Sequence, residues 1–375
     1  MKTVGIICEY NPFHYGHLYH LKKTKELFPD SLVVAIISGP FTQRGDVSIL
    51  SKWEKTEIAL EHGIDLVIEL PFKYASQSAD VFAMGAISIL KELKVESLVF
   101  GSEENNLEKL EKMAKLQLES KDYQEEVKKN LDRGLNYPTA MNKALKTSLD
   151  LEIKTPNDLL GLSYIKEIRR QKAKILPYSI LRTNDYHETS LEKVASATAI
   201  RKALKENKDL EKYLPKSVWK IIKNRQEKDY YDYLKYKIIS EDEKIANYQS
   251  VDEGLEKRII KANKISNNLE ELIDNIKTKR YTYNRIKRMF SHILVSFTKK
   301  EAKNKDLEYI RVLGFNKKGQ SYLNSIKKDL NLPLISQIKK EYDELLSLDN
   351  KAEELYQLIN EESLETIKNK PIKKN

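Results

Sequence analysis

The stretch Thr3-Val4-Gly5-Ile6-Ile7-Cys8-Glu9-Tyr10-Asn11-Pro12-Phe13-His14-Tyr15-Gly16-His17 decides how the fold is read. The apolar run Thr3–Cys8 has the composition of a buried strand. Asn11-Pro12 interrupts it, and a helical pattern over His17–Phe28 follows, with Leu18, Leu21 and Leu27 near one face. His14-x-Gly16-His17 therefore falls where a strand has ended and a helix begins. A helix start offers unpaired N–H groups and positive dipole potential, which suits a phosphate. Gly16 lets the backbone approach closely where a Cβ would intrude. Two imidazoles there can donate hydrogen bonds to phosphate oxygens as charge builds on them.

Working outward, the same alternation continues. Leu32–Ile37, Leu66–Leu70, Ser97–Phe100 and Ile175–Ile180 read as further strands, rich in Val and Ile. Between them lie helical patterns at Ser51–His62, closed by Gly63, at Asp80–Leu93, and at Asp158–Arg170, opened by Thr155-Pro156. Apolar strands separated by helices predict an α/β fold with a Rossmann-like parallel sheet. Past about residue 200 the segments 201–228, 232–246, 255–275, 282–299, 320–328 and 335–368 read as helices with lysine-rich faces. Strand signals nearly vanish there, and Asn369–Asn375 reads as a loose tail. The expectation is a nucleotidyltransferase-like catalytic domain over 1–205 and a mainly α-helical, basic domain over 206–375.

Charge follows that division. The chain of 375 residues carries a net charge of +10. Residues 201–375 hold 39 Lys+Arg against 28 Asp+Glu, leaving 27 against 28 for the first 200. Between Lys277 and Lys339 there are 16 basic and 4 acidic residues. So segregated a field attracts a polyanion, with salt-dependent affinity; a solvated lysine-rich surface is the plainer reading. At 33% charged and 40% hydrophobic the composition is that of a globular protein. The single cysteine, Cys8, excludes an intramolecular disulfide and suggests a reducing compartment. The first apolar run is too short to span a membrane, and no small-residue cleavage site follows it. These features predict a cytoplasmic protein with no membrane association.

A second element lies downstream, Ser196-Ala197-Thr198-Ala199-Ile200-Arg201. Ser196 and Thr198 at a helix start can cap it and can also bind a phosphate. Arg201 turned inward supplies a positive fork for a leaving pyrophosphate; turned outward, the segment is a plain helix start. His14, His17 and His20 could instead be metal ligands, since i and i+3 share a helix face, but no Cys or second His cluster completes such a site, and no resident metal is expected.

The pair of elements resembles the HxGH…ISSTxIR loops of nucleotidylyltransferases, enzymes that bind ATP, attack its α-phosphate with an anionic nucleophile and release pyrophosphate. Longer blocks narrow the resemblance: EYNPFHYGHLYH (9–20), SGPFTQRGD (38–46), DLVIELPF (65–72), Gln77-Ser78-Ala79, FGSE (100–103), SATAIR (196–201, with Ala195 before it), KTKRYTYNRIKR (277–288) and RVLGFNKKG (311–319). Together these are similar to the bacterial tRNA(Met) cytidine acetate ligase family over nearly the full chain. The resemblance implies an enzyme that makes acetyl-adenylate from acetate and ATP and passes the acetyl group to N4 of the wobble cytidine of elongator tRNA(Met), giving N4-acetylcytidine. It implies ATP with Mg²⁺, acetate and tRNA as partners, and no stable protein partner.

It also implies site residues. ATP contacts carry over onto Ile7, Cys8, Glu9, Tyr10, Asn11, Pro12, Phe13, His14, Tyr15, Gly16, His17, Leu18, Tyr19 and His20, and onto Gly101, Asn157 and Arg182. His14, His17 and Arg201 are the expected catalytic residues, with Ser196 and Thr198 holding phosphate. Asn157 could equally be a helix-entry residue and Arg182 a surface ion pair. Two positions depart from the family pattern, Pro40 in the SGPFTQRGD block and Tyr15 inside the first motif. Gln43 and Arg44 persist, and Arg44 is expected to face the active site. No residue stands out as the base for acetyl transfer, a task the AMP phosphate could perform.

In the basic half, Tyr281, Tyr283, Arg285, Lys287 and Arg288 interleave aromatics with cations, a composition that stacks on bases and grips phosphates. The same tyrosines could instead face a core. Lys277, Lys279 and Arg280, with Lys317 and Lys318, complete the RNA-contact candidates. Two other readings stand beside the ligase: a different HxGH adenylyl- or cytidylyltransferase with a small-molecule acceptor, and a non-catalytic RNA-binding protein with a vestigial nucleotide site.

Overall fold

Five strands of the first half, β1 (Thr3–Cys8), β2 (Leu32–Ser38), β3 (Leu66–Leu70), β4 (Ser97–Ser102) and β5 (Leu176–Leu181), pair in parallel in the order β5-β4-β1-β2-β3. The computed structural model describes residues 1–182, 195–225, 228–252, 254–364 and 370–374. Positions 226–227 and 365–368 of the expected helices, and 369 and 375 of the expected tail, lie outside these residues.

The sheet is covered on both faces, which is why its central strands are apolar at successive positions. Leu32, Val34 and Ile36 of β2 enter one core, and Val33, Ala35 and Ile37 enter the other. The first core is closed by the helices Ala79–Glu92 and Pro156–Arg170, the second by Lys52–Glu61 and Ala197–Lys205.

Three helices not expected from the sequence, Leu107–Glu119, Lys121–Asp132 and Tyr137–Leu149, fill the stretch after β4. Their polar faces outnumber their apolar ones. They hold to the domain through apolar residues such as Leu110, Met113, Met141 and Leu145.

The expectation that strands end with the first half is corrected. β6 (Ile310–Asn316) joins the sheet antiparallel to β3, beside β7 (Leu334–Ile335) and β8 (Ile372–Lys374). Ile310 and Val312 enter one core of the first half and Leu313 the other. The supposed tail is thus partly a strand, pairing Gly314 with Ile372. The remaining second half is mainly helical, but the expected helix 201–228 is broken into Ala197–Lys205 and Lys216–Ile222, and of 335–368 only Ser347–Ile359 is α-helix among the described residues. The segment 255–275 is two helices, Leu255–Ile265 and Leu269–Ile276, separated by a turn at Ser266 that caps the first.

The helices Tyr231–Ser240, Tyr283–Val295 and Ser347–Ile359 build a third core, which also takes in Phe41, Val47 and Phe72 from the first half. Deep charges cross the same junction. Lys52 Nζ lies 2.9 Å from Glu69 and 3.3 Å from Glu353, all three buried. Asp349 accepts from the Phe72 amide at 2.6 Å and from the Tyr309 hydroxyl. Removing one member would strand a buried charge, so these groups tie the C-terminal helix to the sheet. Among the described residues, no helix is long and apolar enough to cross a membrane.

Candidate active site

Tyr15 opens the first helix, Tyr15–Leu27, and His14 is its N-cap in extended backbone. The Gly16 amide donates to His14 Nδ1 at 3.0 Å, and the His14 amide donates to His17 Nδ1 at 3.2 Å. An amide N–H can only donate, so Nδ1 of each ring is the acceptor and the ring hydrogen sits on Nε2. The motif thereby fixes both tautomers with its own backbone. The rings lie 3.9 Å apart between centroids. Burial, then the charges of Arg182 and Arg201, push His14 down to about 3. Burial and the neighbouring His14 hold His17 well below the usual histidine range. Both are neutral N–H donors at physiological pH. They can stabilise oxyanions but do not bring positive charge of their own.

The positive charge comes from elsewhere. The second motif caps its helix as expected, Ser196 Oγ accepting from the Ala199 amide at 3.1 Å. Arg201, one turn on, donates from Nη1 to the Asn11 carbonyl at 2.8 Å, which joins the two motifs directly. Asn11 is itself held by Oδ1, which accepts from the Ile49 amide at 2.8 Å.

A cavity of about 1040 Å³ opens at the C-terminal ends of β1, β4 and β5, the usual ligand crevice of such sheets. His14, Gly16, His17, Tyr19 and His20 line it with Ile7, Cys8, Glu9, Tyr10 and Asn11. Gly101, Asn157, Arg182, Ser196, Thr198 and Arg201 line it from β4, β5 and the helices that follow. Four members of the predicted run do not: Pro12, Phe13, Tyr15 and Leu18. Phe13 is fully buried and stacks on His62 at 4.9 Å, and Leu18 packs on the same core. Phe13 and Leu18 thus give the loop an apolar underside. His20 Nε2 donates to the Val99 carbonyl at 3.2 Å, fastening the helix to β4.

Nothing in the sequence singles out Glu103, although the FGSE block contains it. Its Oε1 accepts from Asn157 Nδ2 at 2.5 Å and lies 3.7 Å from Arg182 Nε, so one largely buried carboxylate orients two predicted nucleotide contacts. A Cβ on Gly101 would come within 3.1 Å of Arg182 Cγ, so the glycine leaves room for that side chain. Among the described residues, no group of three His, Cys, Asp or Glu could hold a metal ion.

The basic half supplies the far wall. Arg44 lines the cavity from the 38–46 loop, as expected, while Pro40 does not. Gly45 has φ +83°, and a Cβ there would lie 2.5 Å from the Lys287 carbonyl, so the loop docks closely on the helix Tyr283–Val295. Lys287 pairs with Asp46 at this junction. Arg280, Arg285 and Arg288 line the cavity. Lys277 and Lys279 do not; Lys277 sits 3.8 Å from Asp274. Of the two tyrosines, Tyr281 is buried under Arg285, whose guanidinium lies 4.4 Å from the ring centroid, and Tyr283 is 38% exposed. Tyr281 is thus a core residue, and Tyr283 alone of the pair has a face to offer a base. Lys318 donates to the carbonyls of Asp30 and Ser31, just before β2 and so at the opposite end of the strands from the cavity. Lys317 opens the same helix, so neither residue shares the cavity.

Comparison with known proteins agrees with this architecture. The sequence model described as HIGH Nucleotidyl Transferase matches residues 1–370. The tRNA(Met) cytidine acetate ligase of Clostridium tetani is 39% identical, covering all of both chains. That of Bacillus subtilis is 40% identical over 98% of this chain and 94% of its own length. The crystal structure of Thermotoga maritima TmcAL without ligand superposes with a TM-score of 0.91 at 29% identity, covering 100% of this chain and 99% of that one. A second crystal form, bound with alpha-thio ATP, gives 0.88 at 28% identity over the same shares.

Proposed function

We propose, from the premise that this chain belongs to the HIGH nucleotidyl transferase family, that it is a tRNA(Met) cytidine acetate ligase. It joins acetate to ATP as acetyl-adenylate, releasing pyrophosphate, and transfers the acetyl group to N4 of the wobble cytidine of elongator tRNA(Met). The observation that carries the reading is the Arg201–Asn11 contact, which closes the two phosphate-binding motifs around one cavity. The full-length likeness to curated ligases supports the choice of acceptor.

Acetate's carboxylate attacks the α-phosphorus. His14 and His17 donate from Nε2 to the phosphate oxygens, while Arg182 and Arg201 balance their charge. Gly101 and Asn157 take the adenosine side, with Asn157 held by Glu103. His14, His17, Arg182 and Arg201 are neutral or cationic, a donor set suited to anions and not to a resident metal. Mg²⁺ carried in on the ATP phosphates would neutralise charge on the leaving pyrophosphate.

The functional division is 1–205 for the nucleotide and 206–375 for tRNA, with β6 threading back into the first unit's sheet. We place the enzyme in the cytoplasm with its tRNA, with no protein partner required. Incubating the protein with tRNA, ATP and labelled acetate, then measuring nucleosides by mass spectrometry, tests the reading. Labelled N4-acetylcytidine is expected, and its absence, with no acetate-dependent ATP–pyrophosphate exchange, refutes it. In the same exchange assay His17→Ala should be inactive yet still bind tRNA.

A further inference from the structure

Moving an acetyl group onto an amine leaves one proton to be removed. The cytidine N4 attacks the carbonyl carbon of acetyl-adenylate and an N–C bond forms. The C–O bond to the AMP phosphate breaks, its electron pair leaving with the phosphate, and one N4 hydrogen departs as a proton. A group in the cavity must accept it.

Among the described residues four carboxylates line that cavity: Glu9, Asp46, Asp80 and Asp252. Three are neutralised by cations. Asp46 pairs with Lys287, Asp80 with Lys166 at 2.7 Å, and Asp252 with Lys299 at 3.5 Å and Arg285 at 3.7 Å. Asp80 additionally accepts from Ser163 at 2.8 Å. Glu9 differs. Among the described residues no lysine or arginine nitrogen lies within 4 Å of it, and its hydrogen-bond partner there is the Gln43 amide, which donates to Oε1 at 2.5 Å. That bond occupies one oxygen and fixes the carboxylate, leaving Oε2 as the acceptor. The charged and titratable groups around it are Arg44 on the docked loop, Lys55 on the helix Lys52–Glu61, Tyr164 on the helix Pro156–Arg170, and Cys8 on β1.

Position agrees with the task. Glu9 follows β1 directly and precedes Asn11, whose carbonyl takes Arg201, so it borders the phosphate-binding loop. On its other side the 38–46 loop brings Arg44, and beyond it the basic wall of Arg285 and Arg288 through which RNA would enter. We propose that Glu9 is the catalytic base that takes the cytidine N4 proton during acetyl transfer. This assignment rests on the ligase reading and adds a role to a residue within the predicted nucleotide-contact run.

The test separates the two half-reactions in wild-type enzyme, Glu9→Gln and Glu9→Asp. Acetate-dependent ATP–pyrophosphate exchange reports adenylate formation, and single-turnover transfer from chemically made acetyl-adenylate to tRNA reports the second step. Glu9→Gln keeps the hydrogen bond to Gln43 but cannot take a proton. It should slow transfer by about 100-fold or more while lowering exchange far less, with Glu9→Asp intermediate in transfer. Transfer by Glu9→Gln within about threefold of wild type overturns the proposal and assigns the proton to the AMP phosphate. Equal losses in both assays also overturn it, since Glu9 would then serve nucleotide binding. Wild-type enzyme that makes no N4-acetylcytidine removes the ligase reading itself, a failure separate from either of these.

Discussion

Arg201 and Asn11 are 190 positions apart, and the guanidinium of one donates to the backbone carbonyl of the other at 2.8 Å. The bond brings a cation to the loop that opens the first helix, whose two histidines are held neutral. Positive charge and neutral N–H donors are thus divided between separate motifs. Replacing Arg201 with Ala removes the charge and leaves the carbonyl without this donor. Exchange should fall by about 10²–10³, the range for losing one preorganised donor to developing charge. Arg201→Lys should recover less than tenfold of it, because an ammonium lacks the planar fork. Both are checked in the ATP–pyrophosphate exchange assay.

Glu103 is expected to act through Asn157 and Arg182. Glu103→Ala should raise KM for ATP about tenfold while changing kcat much less, because it disorders binding groups without touching the histidines. Glu103→Gln keeps an acceptor for Asn157 Nδ2 and should recover part of the affinity. Steady-state kinetics with varied ATP distinguish this from a folding defect, which would lower the active fraction at unchanged KM.

The buried histidines set a direction for acid stability. Burial holds His14 down at about 3, and His20 at about 4, against an unfolded value near 6.5. The folded-state values lie below the unfolded ones, so the unfolded chain binds more protons between these limits, and stability falls as pH drops below about 6.5. Each such histidine costs up to about 2 kcal/mol between pH 6.5 and pH 5. Thermal unfolding should show Tm falling across that interval. His20→Gln, which can still donate to the Val99 carbonyl, should flatten the slope.

Charge reversal at Lys279 and Arg280 should weaken tRNA binding and lower the slope of log K against log salt by about 1 for each phosphate no longer neutralised. Arg280 lines the cavity, and Lys279 is its neighbour in the chain. Filter binding of tRNA over a salt series measures it, and an unchanged slope would remove these residues from the RNA interface.

The sequence by itself determined the parallel α/β sheet, the strand-to-helix position of His14-x-Gly16-His17, the capping role of Ser196 and the segregation of basic charge. Each is local or compositional: apolar periodicity, a loop between strand and helix, a cap, a count of lysines. Tertiary structure decided the rest. Ile310–Asn316 has the composition of a strand, yet its place beside β3 depends on a pairing formed across some 240 residues, which no local pattern encodes. Glu103 gained its role because Asn157 and Arg182 arrive beside it from separate elements. Tyr281 and Tyr283 look alike in sequence and differ only in which of them the third core buries. Lys317 and Lys318 went to the far end of the parallel strands because the antiparallel β6 delivers its following helix there. Local interactions along the chain set each element's type. Which side chains meet is set by burying apolar faces against one another, and that is settled only when the whole chain packs.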